Sequence, residues 1–194
     1  MHKLISLALV LVLWVPLGKA QGMIHFAEVI SLSDSEIKVF VKRTQQKVEE
    51  FQEFMKIIAD KTESRERRNL AEQEALKLFY KGAVIEITST DNQKSIKTIR
   101  DYLYKLKILP YIQVNIEYYD VAYVTTFTKG DDGKYYATAT IFQKITGFDN
   151  DNMQYTKHLK KELEIILENV EDEFYGESRW KIFLGDIKAT EVRA

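Results

Sequence analysis

General acid–base chemistry near neutral pH needs a histidine or carboxylate base with a hydroxyl donor in reach. The chain contains three histidines, His2, His25 and His158, and His2 lies in a leader described below. His158 with Asp120 and Tyr123 is the best available catalytic set, suited to a lyase, isomerase or hydrolase. Nothing in their spacing makes the three meet. Lys157, Lys160 and Lys161 surround His158, and such a run usually marks a solvated face. The plain reading of His158 is therefore a solvent-washed residue near a strand end. Its lysine neighbours would favour the neutral imidazole, so a base role stays open.

Other chemistry is thinner. Asp149-Asn150-Asp151-Asn152 supplies oxygen ligands of the kind calcium takes. It lacks the glycine and closing glutamate of an EF-hand loop, so it reads as a polar turn, as does Asp131-Asp132-Gly133, and no metal site is expected. Cysteine is absent, which excludes disulfides, thiolate metal sites and a lipid-bearing cysteine. No phosphate-binding glycine loop, Gly-x-Ser-x-Gly or His-Glu-x-x-His occurs, and no cofactor is expected. Tyrosine numbers 11, with Tyr118, Tyr119, Tyr123, Tyr135 and Tyr136 close together. Strand propensity explains such a cluster. An apolar ring with a polar tip also suits a binding surface, and Tyr119, Tyr123 and Tyr136 are the candidate ligand contacts.

Residues 1–20 read as a secretory signal peptide. Lys3 charges the start, Leu4–Leu17 is apolar apart from Ser6 and Pro16, and Gly18 and Ala20 are small residues before a cut. The apolar run is shorter than the roughly 20 residues of a spanning helix. The mature protein is expected in the periplasm or outside the cell, with no membrane span. Losing Lys3 and Lys19 takes the formal net charge from −1 to −3. That balance argues against nucleic acid, whose binders carry a basic patch. The densest cationic group, Arg65, Arg67 and Arg68, is interrupted by Glu66.

The remaining chain is one domain in size, at about 100–200 residues per domain. Residues 21–33 read as a flexible leader and 34–194 as a single α+β domain. Ser33 or Ser35 can cap a helix over about 34–61, whose apolar residues Val48, Phe51, Met55 and Ile58 recur at helical spacing. Ser64 can cap a second helix with Leu70, Ala71, Ala75, Leu78 and Phe79 on one face, stopped by Gly82. Val84–Thr88 is a short strand. A third helix is predicted over about 93–108, with Ile96, Ile99, Leu103 and Leu106 on its face. Beyond Pro110 the period becomes two. Alternation flips between Tyr118 and Tyr119, which predicts a bulge in a long strand. Lys129–Gly133 is a hairpin loop, and a return strand covers about 134–146. Residues 156–172 fit a helix slightly better than a strand. The last strand runs through Trp180–Ile187, with Trp180 expected in the core beside Ile182 and Leu184.

The segments Ala75–Thr88, helix into strand, and Trp180–Ile187, final strand, carry a resemblance in topology. Together with the order helix, helix, strand, helix, long strands, they resemble the nuclear-transport-factor-2-like superfamily over roughly Val48–Val192. The leader adds a likeness to exported proteins of Bacteroidetes-type bacteria. The resemblance implies three N-terminal helices packed on a strongly curved antiparallel sheet, cone-shaped, with 156–172 a strand paired to 179–191. It also implies that any catalytic base sits inside the cone.

Fold alone does not give function. Without a convincing acid–base set, the sequence favours a non-catalytic exported module that binds an unknown protein or small molecule through the concave face of the sheet. A homodimer through the sheet is a further expectation. The alternative is a small-molecule lyase, isomerase or hydrolase working in the cone pocket.

Overall fold

The computed structural model describes residues 32–88, 93–110, 113–149, 152–171 and 178–193. The expected signal peptide, residues 1–20, and most of the expected leader, residues 21–33, lie outside the described residues, as do Asn150 and Asp151 of the expected polar turn. The elements are α1 (Asp34–Ala59), α2 (Arg65–Lys77), β1 (Val84–Thr88), β2 (Lys94–Thr98), α3 (Ile99–Lys107), β3 (Gln113–Val124), β4 (Thr128–Lys129), β5 (Tyr135–Asp149), β6 (Asn152–Glu171) and β7 (Ser178–Arg193). This is an α+β fold with three helices and one large bent sheet.

Helix α1 starts at Ser33, whose hydroxyl accepts from the Glu36 N–H while the Glu36 carboxylate accepts from the Ser33 N–H. This reciprocal box satisfies two donors that a helix start leaves orphaned. One face carries Phe40, Thr44, Val48, Phe51, Met55 and Ile58, all buried. Their spacing of three and four is that of a single helix face. The Thr44 hydroxyl donates to the Phe40 carbonyl at 2.8 Å, so its burial leaves no donor unmet. Leu32 donates its N–H to the Tyr135 hydroxyl at 3.2 Å, across to β5. Helix α2 is capped by Ser64 and buries Ala71 and Ala75; Leu70, expected on that face, is exposed. The helix ends at Lys77, and Gly82, at φ +86°, turns the chain into β1 instead of closing the helix.

The predicted third helix is half the expected length. Residues 94–98 form β2, an antiparallel partner of β1, and α3 begins only at Ile99 with Thr98 as its cap. Ile96 had been placed on the helix face by its spacing to Ile99. It is exposed on the edge strand, whereas Ile99, Leu103 and Leu106 are buried. Pairing with β1 satisfies backbone groups that one more helical turn would have satisfied internally, a choice no local pattern reveals.

Strand order is β2-β1-β7-β6-β5-β3, with β4 also on β5. The expectation of an antiparallel sheet needs one correction. The β1–β7 contact is parallel, through Ile85 opposite Ile187, and a parallel bridge joins Phe79 to Leu184. After α2 the chain re-enters the sheet beside its last strand in the same direction. Residues 152–171 are strand throughout, the form the resemblance implied and local spacing did not favour. Its partners decide this: Leu163, Ile165 and Leu167 are buried with Ile182, Leu184 and Ile187 of β7.

Bulges bend the sheet. β3 slips against β5 between Tyr118 and Asp120, where the alternation flips in the sequence, and again between Val121 and Tyr123. β6 and β7 slip between Lys160 and Lys161 and between Leu163 and Ile165. Each extra residue strengthens the twist and redirects the strand. The side facing the helices holds the core, including Phe51, Met55, Leu103, Ile116, Ile141, Leu163 and Leu184.

Candidate functional site

Alternation along β6 sorts its side chains. Lys157, Leu159, Lys161, Leu163 and Ile165 are buried, while His158, Lys160, Glu162 and Glu164 between them are half-buried. Strand geometry puts the two sets on opposite faces. Two lysines therefore lie on the helix side of the sheet, only 6% and 5% exposed at Lys157 and Lys161. This overturns the sequence expectation that these lysines are solvated. They share the parity of Leu159 and Leu163, and that parity was the available signal.

Strand β5 completes the neighbourhood. Ile145 is opposite Lys157, Gln143 opposite Leu159 and Ile141 opposite Lys161. Gln143 thus stands in the row between the two lysines. It is fully buried, and neither its amide nitrogen nor its amide oxygen has a hydrogen-bond partner among the described residues. From α3, the Tyr102 ring lies 5.6 Å from the Lys161 ammonium, within cation–π range. The Tyr102 hydroxyl approaches the Met55 sulfur at 3.8 Å, a weak acceptor.

Burial controls the electrostatics. The Lys161 amine is pushed down to about 8, first by burial and then by the like charge of Lys157. Burial also lowers Lys157. The Tyr102 phenol is pushed up to about 12 by burial, with the nearby Gln143 amide acting in the opposite sense. Lys161, the Gln143 amide and the Tyr102 phenol thus lie together against apolar Ile141 and Leu159, with Lys157 farther along the same face of β6 beside Ile145. Such an arrangement can hold a polar or anionic group. Among the described residues no cluster of three metal-ligating side chains occurs, and no helix is long and apolar enough to cross a membrane.

The residues singled out from sequence fall elsewhere. His158 is opposite Lys144 and Arg193, on the face away from the helices. Asp120 is opposite Phe142 and Tyr123 opposite Thr140; the side chains of Tyr119, Asp120 and Tyr123 lie outside the described residues. In the β5–β6 register, Phe142 faces Lys160 and Thr140 faces Glu162. Asp120 and Tyr123 therefore lie in different sheet rows from His158, with β5 between. Tyr136 is on the outer face, where its hydroxyl donates to Asp132 at 2.7 Å. Lys134 donates to the same carboxylate oxygen at 2.7 Å. These two hydrogen bonds hold Asp132 down to about 2. Tyr136 also lines an outer groove of about 330 Å³ with Thr125, Thr138, Glu162, Glu164 and Asp186.

No protein-family model matches the chain, and no curated protein matches it. Among solved structures, the chain is similar to an NTF2-like protein of unknown function from Shewanella baltica OS155. The identity is 14% and the TM-score 0.40, over 85% of this chain and 99% of that one.

Proposed function

We propose that this protein is a non-catalytic binding module that takes a small molecule against the helix side of its sheet, between α3 and strands β5 and β6. The observation that carries this reading is the Gln143 amide, fully buried with no hydrogen bond of good geometry to either polar atom among the described residues and only the Tyr102 phenol near enough to act on it. Leaving such a group unsatisfied costs about 1–3 kcal/mol. A ligand that accepts from and donates to this amide offsets that cost. The signal-like residues 1–20 support work in the periplasm or outside the cell, which N-terminal sequencing of the exported protein tests directly.

Ligand-observed NMR with a library of small polar fragments tests the binding reading. Binders should be lost in Gln143→Leu and kept in Tyr136→Ala, which alters only the outer groove. Binders unaffected by Gln143→Leu would move the site elsewhere.

One observation favours the enzymatic alternative. The Lys161 amine, brought near 8 by burial, lies 5.6 Å from the centre of the Tyr102 ring, and a buried amine so lowered can act as a general base. In that case the base is Lys161 instead of Asp120 or His158. Substrate turnover that disappears in Lys161→Met, with binding retained, would establish it.

A further inference from the structure

The geometry points to a second site, the groove on the outer face of the sheet, which takes a small saccharide through its hydroxyl groups. It stands apart from the interior reading, because strand alternation sends the two sets of side chains to opposite faces. The groove measures about 330 Å³, at the lower end of the roughly 300–1,000 Å³ of ligand pockets, so it suits a mono- or disaccharide. Two glycines shape it. A Cβ at Gly130 would come within 2.8 Å of the Tyr136 Cε2, so the bare hairpin backbone gives the ring its place. The Tyr136 hydroxyl donates to Asp132 at 2.7 Å, which fixes the ring further. A Cβ at Gly185 would overlap a Glu164 carboxylate oxygen, so the Glu164 side chain lies down against bare β7 backbone. Ring and carboxylate line the same groove, and the Tyr136 phenol is raised first by its bond to Asp132 and, more weakly, by the Glu164 charge. A platform and an acceptor already held in place reduce what a ligand must order on binding.

The hydrogen-bonding inventory of the lining selects the class. Glu162 and Glu164 offer carboxylate oxygens, and Asp186, whose Oδ1 accepts from the Val84 N–H, keeps its second oxygen. Thr125 Oγ1 accepts from the Thr138 N–H at 2.8 Å, which leaves its own proton to donate. Lys188 adds an ammonium that only donates. A carboxylate ligand, all acceptors, would meet three carboxylates. An alkylamine, all donors, would meet Lys188 and leave the threonine protons unused. An apolar body would strip water from charges and hydroxyls without replacing it. A hydroxyl both donates and accepts. Neighbouring hydroxyls on a pyranose ring can give to Glu164 and take from Thr125 or Lys188 together. The C–H face of the same ring stacks on Tyr136, whose polar tip is already turned to Asp132.

Saturation-transfer NMR titrations of the full chain with cellobiose, maltose and diacetylchitobiose test the class, with putrescine as a cation and succinate as an anion. At least one sugar should bind, at least tenfold more tightly than putrescine or succinate. Tyr136→Ala and Glu164→Ala should each weaken that sugar at least tenfold; Glu164→Ala, at a half-buried position, decides the matter should Tyr136→Ala not fold. Gln143→Leu, on the other face, should leave it unchanged. No binding of any of the three sugars would overturn the proposal and leave the interior reading standing. Putrescine binding more tightly than every sugar would overturn the hydroxyl class. A sugar lost in Gln143→Leu and kept in Tyr136→Ala would overturn the outer groove as its site and support the interior one.

Discussion

The ammonium of Lys161 lies 5.6 Å from the centre of the Tyr102 ring, joining β6 to α3 through a cation buried on the helix side of the sheet. Its pH dependence follows from the direction of its shift. Lys161 titrates near 10.5 without its surroundings and near 8 when folded. Between those values the unfolded chain keeps a proton that the folded chain has lost, so stability rises with pH across that window. Below pH 8 the charge is present in both states and folding carries the full cost, about 3 kcal/mol at 1.36 kcal/mol per unit. Lys161→Met should therefore stabilise the protein at pH 7 by up to about 3 kcal/mol and flatten the rise above pH 8. Urea denaturation at pH 7, 9 and 10.5 reads both effects. A Lys161→Met protein less stable than wild type at pH 7 would show that the ammonium is well solvated where it stands.

Gly185 sits where β7 gains a residue against β6, and Asp186 beside it accepts from the Val84 N–H at 2.9 Å. A Cβ at Gly185 would overlap a Glu164 carboxylate oxygen and come within 3.0 Å of the Glu164 Cβ. The oxygen can swing aside; the Cβ cannot without moving the strand. Gly185→Ala should cost about 1–3 kcal/mol, in the range of overpacking. Glu164→Ala removes the Cγ and the carboxylate but keeps the Cβ, so the double variant should recover only part of the loss. Full recovery would locate the whole conflict in the flexible carboxylate.

Trp180 has the expected phase with Ile182 and Leu184 but is only half-buried. It packs edge-on to Tyr135 at 5.4 Å and lines a shallow groove with Arg43 and Lys47 of α1. Trp180→Ala should cost about 2 kcal/mol, less than the roughly 3–5 kcal/mol of a fully buried ring. Guanidinium denaturation measures it, and a loss above 4 kcal/mol would mean the ring is a central core residue after all.

His158 is on the outer face, opposite Lys144 and Arg193, away from Gln143 and Lys161. His158→Ala should leave the affinity of the fragments that Gln143→Leu abolishes within twofold of wild type by ligand-observed NMR. A tenfold loss at unchanged melting temperature would shift the site to the outer face.

Local chemistry in the sequence was enough to place several elements. The Ser33–Glu36 box, the apolar spacing from Val48 to Ile58, the β-rich Val84–Thr88 and the flip at Tyr118–Tyr119 each act over a few residues. A capping hydroxyl, a helix face and a strand alternation are short-range properties, so they can be read along the chain. Residues 94–98 and 156–172 could not be settled that way, because both admit two periods and only a partner strand chooses between them. The site was hidden for the same reason. Lys157 and Lys161 read as solvated while 156–172 could be a helix, and become buried once the segment is a strand whose odd positions face the core. Tyr102 and Gln143 carry no local signal at all. They meet because the Tyr102 side chain reaches from α3 to Lys161 of β6 and Gln143 of β5, and the low dielectric there, absent from any single segment, turns an ordinary lysine, an amide and a phenol into a candidate binding site.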